Sequence, residues 1–170
     1  MFRIGDYVYY ASGGVCLVSD ICYAPLSGMP RDRQYYVLRP AGGADDVMYV
    51  PVNSDAVFMR ELMSRDEAEA LLARFGEIQV LEEPNAKALR EKYVEAMRRH
   101  DPVEWVRVIK TVSGRIRRLE RQSRNQRISD TERSYGEDAK RYLYTELAIA
   151  LECSFEEMRA SMKEQIEQTV

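Results

Sequence analysis

The sequence predicts an α+β protein in which a small β-rich domain precedes an all-helical one. Three observations carry this prediction. The first 60 or so residues alternate short aromatic and β-branched runs with glycine and proline breaks, the chain beyond them turns to helical periodicity opened by capping boxes, and a basic block lies between two acidic ones. At 170 residues the length permits one domain or two small ones.

Asp6-Tyr7-Val8-Tyr9-Tyr10 has the composition of a strand, Ser12-Gly13-Gly14 breaks it, and Val15 to Cys22 resumes an extended run, so a hairpin is expected. Pro25, Ser27, Gly28 and Pro30 mark a longer loop. Gln34 to Arg39 and Asp46 to Pro51 then form two more strands around Pro40-Ala41-Gly42-Gly43, and Val57 to Arg60 is the last. Five short strands at this spacing predict a small, strongly bent barrel over residues 1–62. The tyrosines at 7, 9, 10, 35, 36 and 49 admit two readings, alternating barrel core or an aromatic cage, and alternation favours the first.

Ser64-Arg65-Asp66-Glu67 is a capping-box pattern that starts a helix running to about Phe75. Gly76 to Pro84 reads as a linker, because Pro84 disfavours helix in the residue before it; residues 63–84 are thus a connecting helix and linker. From Asn85 four helices follow in an 85–170 domain. The first, about 86–99, carries Leu89, Tyr93, Ala96 and Met97 on one face. The second opens on Asp101 with Pro102 at the first helical position and Glu104 completing a box. Its apolar stripe is Trp105, Ile109, Val112, Ile116 and Leu119. The third starts at Ser129-Asp130-Thr131-Glu132 and buries Ala139, Tyr142, Leu143, Leu147, Ala150 and Leu151. The fourth starts at Ser154 with Phe155, Met158, Met162 and Ile166 inward.

Charge is segregated. Residues 1–84 carry 7 basic and 13 acidic side chains (net −6), 85–133 carry 14 and 7 (net +7), and 134–170 carry 4 and 8 (net −4). Clustered Arg and Lys attract a polyanion, and between Arg107 and Arg127 only Glu120 is acidic, so few partners for ion pairing remain at helical spacing. A solvated helix face is the plain alternative; contact with DNA is the functional one. Trp105 sits on the apolar stripe, which favours core packing over an exposed wedge.

Enzyme chemistry has little to stand on here. The chain has one histidine, His100, at an expected helix end, and three cysteines, Cys16, Cys22 and Cys153, with no close pair. It also lacks a glycine loop with a phosphate-binding lysine. No enzyme activity, cofactor or metal is expected. The start Met1 to Asp6 lacks the pattern of a secretory signal, and no stretch approaches the ~18 apolar residues of a span, so a cytoplasmic protein without a membrane partner is expected.

Phe2-Arg3-Ile4-Gly5-Asp6-Tyr7-Val8-Tyr9-Tyr10 with Gly14-Val15 resembles the opening of the CarD/CdnL family of bacterial transcription regulators. Further similarity lies at Gln34 to Leu38, at Val50-Pro51-Val52, and from Arg127 through Glu132 to Glu146-Leu147-Ala148-Ile149-Ala150-Leu151. The resemblance implies a Tudor-like (SH3-like) barrel that binds the RNA polymerase β subunit, for which Tyr36, Leu38, Met48, Tyr49 and Val50 are the candidate contacts. It implies a helical domain set against promoter DNA that modulates open-complex stability. Many members carry a wedge tryptophan early in the first helix of that domain; the matching position here, near Ala86, has no aromatic. A weak grip made mainly through phosphates is therefore expected, with Lys87, Arg90, Arg107, Lys110, Arg117, Arg118 and Arg121 as candidate contacts. The rival reading is a protein-interaction adaptor whose basic face meets an acidic protein.

Overall fold

In the computed structural model, residues 1–43, 45–122 and 126–170 are described, and the chain divides into two compact units, Met1–Leu62 and Met63–Val170. The first is a five-stranded antiparallel sheet of β1 (Tyr7–Tyr10), β2 (Gly14–Tyr23), β3 (Gln34–Pro40), β4 (Met48–Pro51) and β5 (Met59–Glu61), in the order β4-β3-β2-β1-β5. The β1–β2 turn closes with Gly13 N–H on the Tyr10 carbonyl, and Gly14 takes a left-handed φ of 71° that a side chain would resist. Gly13 has a different reason: a Cβ there would lie 2.6 Å from the Met48 Cε, so its absence lets β4 fold over the turn. A bulge between Val18 and Asp20 adds further bend to the long β2–β3 pair.

The sheet is not the closed barrel expected from sequence. β4 pairs with β3 and β5 with β1, but the two edge strands are not paired with each other among the described residues. They are four and three residues long, and Pro51 at the end of β4 has no N–H to offer. The core on the concave side gathers Val8, Cys16, Val18, Tyr36, Leu38 and Val50, with Phe2, Met48 and Met59 packed against it.

The second unit holds α1 (Arg65–Ala73), α2 (Ala86–Arg98), α3 (Pro102–Gln122), α4 (Asp130–Ala150) and α5 (Phe155–Thr169). Capping chemistry places the helix starts. Ser64 and Ser154 form complete capping boxes with Glu67 and Glu157, and these hydrogen bonds hold the Glu157 carboxyl below its ordinary pKa. Asp101 Oδ1 accepts from Val103 N–H and Glu104 N–H at the start of α3. His100 adopts φ 52° just past α2, and its N–H bonds the Met97 carbonyl, a left-handed helix ending made without glycine. Glu152 does the same after α4 at φ 56°.

α3 is the central helix, packing on α2 and α4. Trp105, Val108, Ile109 and Val112 are buried along it, and Trp105 is wholly enclosed with its ring 5.5 Å from that of Tyr142. Two expectations need correction. Phe155 is 39% exposed at the first position of α5, so the inward set there is Met158, Met162 and Ile166. The segment read as a linker, Gly76 to Pro84, is packed into this unit, because Ile78 and Leu81 carry too much apolar surface to remain in water and are buried. No helix of the described residues is long and apolar enough to cross a membrane.

Candidate functional site

The seven cations expected to meet DNA separate into two groups. Lys110 is buried: its Nζ donates to the main-chain carbonyls of Phe75 (2.9 Å), Gly76 (3.0 Å) and Ile78 (2.6 Å). It also lies 5.5 Å from the Phe75 ring centroid. Burial pushes its pKa below the ordinary lysine value, while three main-chain carbonyls of the segment that follows α1 supply the acceptors that keep an ammonium there. This residue anchors the segment after α1 and is withdrawn from solvent, which corrects its assignment as a DNA contact.

Arg107 is also engaged, with Nη1 3.2 Å from Glu104 Oε1 and Nε donating to the Gln79 carbonyl at 3.3 Å. Arg117 donates from Nη1 to the main-chain oxygens of Glu167 (3.2 Å) and Val170. The remaining four are different. Lys87 and Arg90 on α2, and Arg118 and Arg121 on α3, are exposed, and among the described residues they take part in no hydrogen bond or ion pair. Each pair is spaced by three residues, so both members share a helix face.

α2 and α3 form a hairpin, which brings the beginning of one beside the end of the other. Leu89 of α2 accordingly lines the same open groove, about 760 Å³, as Arg118 and Arg121. The stretch Ile78 to Glu83 also lines it, fixed by Leu81 N–H on Thr111 Oγ1 at 2.8 Å. Arg98, absent from the expected set, extends the α2 row through Lys87, Arg90 and Val94, and it too is exposed without an ion pair among the described residues. Its 3, 4, 4 spacing was visible in the sequence.

A polar network braces this end of the unit. Glu132 Oε1 accepts from Tyr93 Oη at 2.8 Å and from Arg115 Nε at 2.5 Å, tying α2, α3 and α4 together. Burial and the carboxylate push the Tyr93 hydroxyl far above the ordinary tyrosine value. The box expected at Ser129 is therefore half made: the Ser129 side chain accepts from Glu132 N–H, but the Glu132 carboxylate turns to the network instead of back to the cap.

In the sheet, the five candidate polymerase contacts also divide. Tyr36, Leu38 and Val50 are 3%, 0% and 2% exposed and belong to the core, so their side chains cannot meet a partner. Tyr36 Oη is further committed, accepting from Phe2 N–H at 3.1 Å. Met48 packs partly against that core, while Tyr49, opposite Val37, lies on the other face and is half-buried. The strand that carries these residues is nonetheless an edge, with one side of its backbone unpaired by any strand among the described residues.

Residues 2–63 match the family model described as CarD-like/TRCF RID domain. The chain carries a CarD-like/TRCF RID domain. The matched stretch coincides with the sheet unit, the two ending within a residue of each other, at 63 and at Leu62. No curated protein matches the chain significantly. The edge strand β4 and the hairpin β2–β3 thus lie inside the RID domain, and the cationic groove lies outside it.

Proposed function

We propose that this chain is a CarD-like transcription regulator that binds the β subunit of bacterial RNA polymerase through its RID domain and promoter DNA through the helical unit, without turnover or cofactor. The observation that carries this reading is the RID match over residues 2–63, which belongs to a transcription-related family of polymerase-interacting domains. The open edge of β4 supports docking by strand addition, in which main-chain hydrogen bonds supply affinity and the outward Tyr49 supplies selectivity. The sheet unit is read as a Tudor-like fold left open at that edge. Such a protein acts in the cytoplasm, where the polymerase is.

On the helical side, the reading is supported by Lys87 and Arg90 on α2 and Arg118 and Arg121 on α3, exposed expected contacts with no hydrogen-bond acceptor or ion-pair partner among the described residues. A protein that neutralises four phosphates loses DNA affinity with a log–log salt slope of about −3.6. Preference for the melted promoter over the closed one is what would stabilise an open complex, since equal contact with both shifts nothing.

The test places a photo-crosslinking amino acid at Tyr49 and, separately, at Arg121 in the full chain bound to polymerase on a promoter. Crosslinks from 49 to the β subunit and from 121 to DNA are expected. Crosslinks from 121 only to an acidic protein surface would favour the adaptor reading, and none from 49 to any polymerase subunit would overturn the docking assignment.

A further inference from the structure

Arg117 stands in the middle of the cationic row of α3 yet is turned away from solvent anions, onto the last turn of α5. Its Nη1 donates to the Glu167 carbonyl at 3.2 Å and to the main-chain oxygen of Val170. The seat for that turn is built from three elements. Val170 Cγ1 lies 2.9 Å from where a Cβ on Gly114 would stand, the Thr169 methyl 3.3 Å from where one on Gly76 would stand, and Gln165 Nε2 donates to the Leu72 carbonyl at 2.8 Å. Glycine weakens a helix interior, and beyond its chain neighbours and the helix's own nearby backbone, the one described atom within 4 Å of the missing Gly114 Cβ is that valine methyl. The end of α5 presents carbonyls and the negative end of the helix dipole, which is the complement a guanidinium seeks.

We propose that the last turn of α5 is a latch that holds Arg117 back from the cationic groove, so that undocking it adds a phosphate contact. The inference rests on the reading that this groove meets nucleic-acid phosphates. Arg117 is four residues from Arg121, on the same helix face, and lines the same groove as Arg118 and Arg121, so once released it adds to their row. Thr169 and Val170 line the same groove as Arg118 and Arg121, so undocking also widens the space beside them. DNA favours the released form because only that form offers the extra cation, and the docked turn sets the threshold DNA must overcome.

The experiment measures binding of a fluorescent duplex by anisotropy across salt for the full chain, Gly114→Leu, Arg117→Ala and the double variant. The wild type is expected to lose about 150-fold in affinity between 50 and 200 mM salt, the value for four phosphates, and Gly114→Leu about 500-fold, the value for five. Gly114→Leu should also bind more tightly at the lower salt, Arg117→Ala alone should match the wild type, and the double variant should return to it. Equal salt slopes for the wild type and Gly114→Leu would overturn the latch, as would a reduced slope in Arg117→Ala alone, since that places Arg117 on DNA already. Salt-independent binding by all four sinks the phosphate reading itself, and the latch with it. Should Gly114→Leu misfold by circular dichroism, Gln165→Ala with Val170→Gly loosens the turn from the α5 side, and the same steeper slope is expected. Without DNA, amides 166–170 should exchange faster in Gly114→Leu than in the wild type; equal protection in the two proteins contradicts undocking.

Discussion

Lys110→Met removes one ammonium and little else, because methionine keeps most of the stem volume. Three carbonyls, of Phe75, Gly76 and Ile78, lose their donor at 2.9, 3.0 and 2.6 Å. Hydrogen bonds to a charged group contribute about 1.5–3 kcal/mol each, and releasing the buried ammonium from its desolvation returns several kcal/mol. The Gly76 carbonyl, which is only partly buried, can turn to water. The net expectation is a loss of about 3 kcal/mol in the helical unit, with the segment after α1 detached first. Trp105 is the only tryptophan and is fully buried in that unit, so urea unfolding followed by its fluorescence reports on the unit alone. With a slope near 2 kcal/mol/M, the midpoint should fall by about 1.5 M. The salt slope of DNA binding, measured well below the transition, should not change, because this lysine does not reach solvent. A stability loss under about 1 kcal/mol, or a reduced salt slope at full folding, would refute the clamp.

Further outcomes follow from the same residues. Glu132→Gln should cost the helical unit about 2–3 kcal/mol by leaving Arg115 without its anion, and Tyr93→Phe about 1 kcal/mol, in the same urea assay; equal costs would contradict a network centred on the carboxylate. In the sheet unit, burial pushes the Cys16 thiol from 9.0 up to about 11. The folded state therefore holds this proton after the unfolded chain has released it. The associated stability is whole below pH 9.0 and falls by roughly 2–3 kcal/mol as pH rises to about 11. Cys16→Ala should show a flatter decline than the wild type over that window, and superimposable pH profiles would count against a buried thiol. Arg118→Ala with Arg121→Ala should lower the DNA salt slope by about 1.8 while leaving urea stability within about 0.5 kcal/mol, and a slope unchanged by the pair would take them off the interface.

The helix starts were legible because their determinants are local. Ser64, Asn85, Asp101, Ser129 and Ser154 each accept hydrogen bonds from backbone two or three residues onward, which a linear reading can see. The apolar stripe of α3 likewise placed Trp105 in the core. What stayed hidden depends on contacts distant in sequence. Nothing near Lys110 announces that carbonyls 32 to 35 residues earlier will take its ammonium. Glu132 looked like an ordinary capping-box partner until Arg115 and Tyr93 were folded against it.

The strands posed a different difficulty. Tyr35 to Leu38 is buried without alternation, so the sequence could not tell the core-facing Tyr36 and Leu38 from a docking face. Closure of the barrel was equally out of reach, because it turns on whether two strands of four and three residues pair, and among the described residues they do not. Of the expected DNA contacts, the exposed ones are those that bond no carbonyl or carboxylate of the described residues, whereas Lys110, Arg107 and Arg117 each do.

The most direct test is the lifetime of the promoter open complex with purified polymerase, measured with the wild-type chain and with Arg118→Ala/Arg121→Ala. The wild type should alter the lifetime, and the variant should bring it back toward the polymerase-alone value while still binding the β subunit. An identical lifetime for the two proteins, with polymerase binding intact, would contradict the assignment of the helical unit to promoter DNA.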